Sequence, residues 1–402
     1  KRRDLTGAVA SVTGDKLAQN PVSNIAEALQ GQLPGVTVTS QDGRPGASMS
    51  IRVRGGGSIT QSNDPLFIVD GVQVSSIDDI PADNIESIDV LKDAASTAIY
   101  GARGANGVIL ITTKNAKEGK VNVKYNMYFR VKEKPETYKQ ESAYDYVLRN
   151  WSYATAYNAK DGQDIAKYFG VGSENGNHLE EYKSMGTHNY QDDLLGSSHS
   201  WNHDLSISGG TERTKYYATL NYINDKGSLN NTGFRRWNGN VKLTQDINKK
   251  LKWNLDARYS EMQFKGAKFE YATCSYNFRP IDTPLGEDDG SLLGMGDSHV
   301  SQAFNTVSIY DNYTSIHTRN RMRANNSLIW TPIKGLTGKT ELTLGRNWSE
   351  QKTWDGGFEE GYSHAKLKKS DGYHVKWTST INYNVQGLGK DQKLDLLAGN
   401  EV

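Results

Sequence analysis

The chain has 402 residues, 36 % of them apolar, with a mean hydropathy of −0.68, and its 47 basic and 46 acidic residues leave a net charge of +1. That balance excludes the basic footprint of a nucleic-acid binder, and one cysteine, Cys274, excludes an internal disulfide framework or a cysteine-cluster metal site. No run approaches about eighteen apolar residues, so a transmembrane helix is excluded too, but an alternating membrane strand scores near neutral and escapes that test.

The chain opens on the basic cluster KRRDLTG with no apolar stretch behind it, so no secretion signal is expected in these residues. Residues 1–118 read as a mixed α/β unit. PVSNIAEALQG fits a short helix that starts near Pro21 and Ser23 and stops at Gly31. GVTVTS and SMSIRVRG read as strands, and PLFIVDGVQVS as a hairpin turning at Asp70-Gly71. ADNIESIDVLKD predicts a turn into a strand, and DAASTAIYG a short helix ended by Gly101. GVILITTK is apolar throughout, as a strand buried on both faces would be.

Residues 119–402 follow another rule. VNVKYNMYFRVK (121–132) sets Val121, Val123, Tyr125, Met127, Phe129 and Val131 on one face, and Lys124, Tyr128, Arg130 and Lys132 on the other. Eight further segments behave as strands: 201–210, 214–224, 234–246, 250–262, 321–332, 336–348, 374–386 and 393–402. Abundant glycine (40), tyrosine (22) and tryptophan (8), with only nine prolines, suit this β-rich reading. Tight connectors (GGTERT, INKK, IKG, GLGKD) alternate with long ones, as when every short turn lies at one end of a membrane barrel. Tyr216, Tyr217, Trp237, Trp253, Trp330, Trp348 and Trp377 sit near strand ends, where interfacial aromatics belong. Tyr125 and Phe129 are therefore expected to face lipid, and Lys124 and Arg130 an interior. A barrel of nine or so strands is filled by its own side chains and cannot hold a separate folded unit, whereas plugged transporters need about 22 strands. About half the wall is thus expected to lie outside this chain.

Chemistry-bearing motifs are sparse. The glycine run in RVRGGGSITQSND lacks the lysine of a phosphate loop, so Gly55, Gly56 and Gly57 are expected to serve a turn. Gly101, Gly104 and Gly107 read the same way, with Arg103 a candidate partner for wall carboxylates. In the long connector 133–200, SAYDYVLRNWSYATAYNA predicts a helix with a stripe of Tyr144, Trp151 and Tyr157, either the loop's own core or a surface for sugar rings or a partner protein. DGQD and GEDDGS do not fit the twelve-residue calcium loop, the histidines are scattered, and no Gly-x-Ser-x-Gly elbow occurs. No metal site, no cofactor and no enzymatic activity are expected.

LPGVTV (33–38), NDPLFIVDGV (63–72) and IESIDVLKDAASTAIYGARGANGVILITTK (85–114) resemble the plug of the SusC/RagA-type TonB-linked outer-membrane transporters, and NHDLSISGGTERTKYYATLNYINDKGSLNNTGF is similar to their early barrel. The resemblance implies a transmembrane antiparallel β-barrel of 22 strands, about nine of them here, with an N-terminal α/β plug (1–118) and the first part of the wall (119–402). It implies an outer-membrane location and TonB-dependent import of an oligosaccharide, or alternatively an oligopeptide. It also implies a SusD-like lipoprotein lid, contact with outer-membrane lipid, and energy from TonB with ExbB and ExbD. A surface receptor that binds without transport is the other reading. The TonB box of the family lies upstream of the KRRDLTGAV equivalent, so it and the C-terminal strands are expected outside this chain. By the same likeness, outward plug loops touch ligand. The candidates are Asp42 and Arg44, then Gln61, Ser62 and Asn63, then Ser75 and Ser76, whose short neutral groups and one guanidinium suit hydroxyls or amides.

Overall fold

The computed structural model describes residues 9–19, 22, 24–40, 42–53, 63–267, 280–281, 285–286, 310–356, 363–385 and 394–402. The first part is built on β1 (Val9–Thr13), β2 (Val36–Ser40), β3 (Met49–Val53), β4 (Leu66–Val69), β5 (Val72–Val74), β6 (Ile85–Leu91) and β7 (Val108–Thr113). Five of these form one sheet in the order β1-β6-β7-β4-β5, and β2 pairs with β3 separately. β7 lies inside its sheet, antiparallel to β6 and parallel to β4, which is why VILITT carries no polar face. Ile88, Val90, Ile109 and Ile111 are buried with Leu17, Ile25 and Leu29 from the short helices α1 (Gly14–Ala18) and α2 (Ile25–Ala28). The start of α2 is capped by Asn24, whose side chain accepts from the Ala26 N–H. The expected Asp-Gly hairpin forms between β4 and β5, with Asp70 and Gly71 both at positive φ (51° and 86°) as its tight turn requires. The helix ending at Gly101 is shorter than expected: α3 spans Ala94–Thr97 and a tighter turn continues to Gly104, kinked at Gly101.

The second part is one antiparallel sheet of nine strands among the described residues, each paired with its sequence neighbour. They are β8 (Gly119–Lys132), β9 (Ser198–Gly210), β10 (Thr214–Lys226), β11 (Gly233–Asn248), β12 (Leu251–Gly266), β13 (Tyr313–Trp330), β14 (Leu336–Asp355), β15 (His364–Asn384) and β16 (Asp395–Glu401). The sheet stays open, with β8 and β16 at its edges. Short turns join β9 to β10, β11 to β12 and β13 to β14 at one end, and long connectors leave from the other.

Solvent preference along this wall is inverted relative to the first part. Val121, Tyr125, Met127, Phe129, Leu344, Val375 and Trp377 are exposed, Tyr125 by 57 %. Asn202, Asn221, Asp225, Arg236, Asn240 and Lys242 are buried on the opposite face. That polar face covers the first part. Asn126 donates to Asp83 Oδ1 (3.1 Å), the Tyr128 hydroxyl to the Val22 carbonyl (3.2 Å) and Arg236 to the Asp78 carbonyl (2.7 Å). Of the strand-end aromatics, Trp237, Trp330 and Trp377 are exposed, whereas Tyr217 is buried on the polar side, where its place in the alternation puts it.

Between β8 and β9 the connector folds on itself. Helix α4 (Ala143–Tyr157) buries Ala143, Tyr146 and Val147 against Ile165 and Phe169 of α5 (Ala159–Phe169). A further short helix, α6 (Tyr190–Leu194), leads into β9. The expected aromatic stripe splits: Tyr144 and Trp151 flank this small core, while Tyr157 stands 78 % exposed and stacks on Tyr153 (centroids 6.4 Å apart, planes within 8°).

Candidate functional site at the seam between plug and wall

The hairpin turn at Asp70 points a carboxylate into the wall. Thr113, at the end of β7, holds that carboxylate through its N–H (2.9 Å) and hydroxyl (2.6 Å). From β11, Lys242 reaches Asp70 Oδ2 (3.2 Å), Thr113 Oγ1 (2.5 Å) and Asn115 Oδ1 (2.9 Å). From β12, Arg258 contacts Asp70 and Thr113 and is held by Asp256 (2.7 Å). Burial by itself would raise the Asp70 carboxyl. Arg258, then Lys242, then the Thr113 hydrogen bonds outweigh it and hold the group below the usual carboxylate range. One plug carboxylate thus ties two wall strands, and removing one partner of such a buried set typically costs about 3–5 kcal/mol.

Above this hub a cavity of about 310 Å³ opens between the two parts. Its lining includes Ser75, Ser76 and Asp79 from the loop after β5, and Arg258, Arg321 and Arg323 from the wall. Ser76 donates to Asp78 Oδ2 (2.7 Å) and accepts from the Asp78 N–H, a closed local turn. Arg321 pairs with Asp79 at 3.0 Å.

Asp42 and Arg44 lie elsewhere, beside a second cavity of about 300 Å³ shared with Arg130, Lys132 and Asp225. They bind each other, Arg44 donating through Nε (3.0 Å) and Nη2 (2.6 Å) to Asp42 Oδ2. That hydrogen bond lowers the Asp42 carboxyl and raises the Arg44 guanidinium. Their loop is wedged against the wall: Gly46 has φ +70°, and a Cβ there would come within 2.4 Å of the Phe234 ring. Only glycine lets the backbone approach that ring so closely.

The sequence-derived candidates therefore divide between two places. Ser75 and Ser76 share the first cavity, and Asp42 and Arg44 the second. Asn63 is half-buried just before β4, in neither lining, while Gln61, Ser62 and the run Gly55–Gly57 lie outside the described residues. Arg103 donates to Gln73 of its own part (3.0 Å), in place of the expected wall carboxylate. DGQD is helical within α5, most of GEDDGS lies outside the described residues, and among those described no three His, Cys, Asp or Glu side chains converge as for a metal.

Sequence reasoning missed two features. The Asp70 hub joins residues up to 188 positions apart, which no local pattern reports. Arg319, Arg321 and Arg323 share the polar face of β13 and were legible as an alternation, RNRMR, but the expected strand began only at 321.

Comparison with known proteins agrees with this architecture. Residues 1–108 match the model of the TonB-dependent receptor plug domain. The chain is 36 % identical over 301 residues to TonB-dependent receptor P26 of Formosa agariphila, covering 73 % of this chain and 29 % of that one. It is 33 % identical over 270 residues to TonB-dependent receptor SusC of Bacteroides thetaiotaomicron, covering 64 % and 25 %. It thus spans less than a third of the length of these curated relatives. In fold, 99 % of it superposes on 47 % of the transporter chain in the closed-closed RagAB peptide importer, with a TM-score of 0.78 at 23 % identity.

Proposed function

The chain belongs to the SusC/RagA-type TonB-dependent receptors of the outer membrane, as their plug and the first part of their barrel, and from that premise we propose that the whole protein imports a nutrient oligomer by TonB-driven displacement of the plug. The observation that carries this is the seam. The plug is a folded body with its own core, held to the wall by side-chain contacts centred on Asp70, so it can shift as a unit when pulled. A SusD-like lipoprotein above the long connectors and TonB with ExbB and ExbD below are the implied partners, and outer-membrane lipid surrounds the apolar face. Ligand contacts are assigned to the outward plug loops: Asp42 and Arg44, Gln61, Ser62 and Asn63, and Ser75 and Ser76. An oligosaccharide is favoured by the exposed, stacked Tyr153–Tyr157 pair on the outer connector, since flat aromatic faces suit sugar rings. The likeness in fold to RagAB, a peptide importer, keeps an oligopeptide as the second reading.

The test is uptake by cells carrying the full-length protein, with and without TonB. Import is expected to vanish without TonB while surface binding of the same ligand persists. Uptake that survives TonB deletion contradicts the proposal, and binding without uptake in both strains supports a receptor that does not transport.

A further inference from the structure

Charge is distributed unevenly along the inner face of β13, β14 and β15. Towards the short turns, cations on this face have acidic partners within the protein: Lys339 with Glu341, and Lys376 with Glu401 at 3.0 Å. Towards the long connectors the pattern changes. Arg319, Arg321 and Arg323 follow one another on the inner face of β13, roughly 6.5–7 Å apart by strand geometry. Lys366 and Lys368 share that face two strands away, aligned through Thr353 and Gln351 with Ser315 and His317. Of these five, only Arg321 has a carboxylate within ion-pair distance among the described residues. The Arg319 guanidinium stands over the Phe264 ring, 4.9 Å from its centroid, and Arg323 faces the seam cavity. Between and beside the cations on this face stand Gly345, Asn347, Ser349, Gln351, Thr353, Ser370 and Gly372 with His317 and His374, and among the described residues of β14 and β15 no carboxylate until Asp355. Asp78 faces Arg319, and Asp79, Asp256 and Asp70 face Arg323, from beyond ion-pair distance; like charges side by side on a sheet are otherwise destabilising, and in a walled lumen they focus a field on whatever anion enters.

We propose that Arg319, Arg323, Lys366 and Lys368 form an anion-binding track on the lumen wall, running from the seam cavity towards the long connectors, which selects oligosaccharides bearing carboxylate or sulfate groups. This deepens the importer reading and rests on it. A saccharide fits better than an acidic peptide. The groups between the cations are hydroxyls, amides and glycines that read sugar hydroxyls. Among the described residues, the inner face of β14 and β15 on this stretch carries no apolar side chain to receive those of a peptide.

The experiment is calorimetric binding to the full-length protein of three probes of equal length: an oligogalacturonate, its fully methyl-esterified neutral form, and oligoglutamate. The oligogalacturonate is expected to bind at least tenfold more tightly than the neutral ester, with affinity falling as salt rises. R319Q/R323Q and, separately, K366Q/K368Q are expected to remove most of that preference without changing the melting temperature by more than a few degrees. Lys366 and Lys368 are exposed, so the second variant keeps the test valid if the first folds poorly. Equal binding of ester and acid, no binding of the acid, or an unchanged preference in the folded variants overturns the track. Tighter binding of oligoglutamate overturns the saccharide assignment. TonB-dependent uptake of a neutral oligomer would leave the importer reading standing while this inference fell.

Discussion

Plug and wall obey the same strand alternation with opposite solvents. In the plug, Ile88, Val90, Ile109 and Ile111 are sealed inside and the charges lie outward. In the wall, Val121, Val241 and Val375 are exposed while Arg236, Asn240 and Lys242 are buried. Neither arrangement works without the other. The plug supplies carbonyls and carboxylates to polar groups that would otherwise face a vacant lumen, and the wall closes the plug's open hydrogen bonds at Asp70, Asp78 and Asp83. Two parts with separate cores, joined mainly by polar contacts with Phe234 among the few apolar ones, can move apart at a small cost in exposed apolar surface.

The largest expected effect comes from breaking the seam. Asp70→Ala leaves Lys242 and Arg258 without their shared plug carboxylate and should cost about 3–5 kcal/mol of plug attachment, read as earlier melting or faster proteolysis of the plug in the refolded full-length protein. The same bond carries a pH dependence. The folded Asp70 carboxyl is held below its usual range, so its contribution is complete above about pH 4 and fades as pH falls through the lowered value. Plug release on acidification should therefore disappear in the Asp70→Asn variant. Next, Val241→Lys on the lipid face should destabilise the barrel by about 2–4 kcal/mol in membrane refolding titrations if it sits at mid-bilayer. Gly46→Ala should be milder, about 1–2 kcal/mol from the left-handed backbone, plus whatever Phe234 must yield, and Phe234→Ala should relieve the second part in a double-mutant cycle. Asp42→Asn is the smallest, within about 1 kcal/mol, because the Asp42–Arg44 pair is exposed. A large loss there would mean that this loop, and not Asp70, holds the plug.

Much of this division was legible in the chain. Nine alternating segments became nine strands among the described residues, and GGTERT, INKK and IKG turn at one end, while GLGKD lies outside the described residues. Strand ends were less legible, and mostly towards the long connectors. β13 starts at Tyr313 where the alternation begins at Arg321, and β15 starts at His364 where it begins at His374. A crossing needs only about 9–11 residues, and beyond the bilayer no lipid compels one face to be apolar, so YTSIHTRN and HAKLKKSDGY pair as strands without the pattern. The Asp42–Arg44 pair was within reach because its partners are two residues apart. The Asp70 hub was not, since an Asp-Gly turn reports its backbone and nothing of the lysine 172 residues away.

The inversion itself is most directly tested by spin labels at Val375 and Lys376 in the full-length protein, with Cys274 replaced, reconstituted in lipid. Neighbouring positions on β15 should answer oppositely: the label at 375 quenched by oxygen dissolved in the bilayer, and the label at 376 by a water-soluble nickel complex. Equal responses, or the reverse order, would contradict a wall with lipid outside and the plug within.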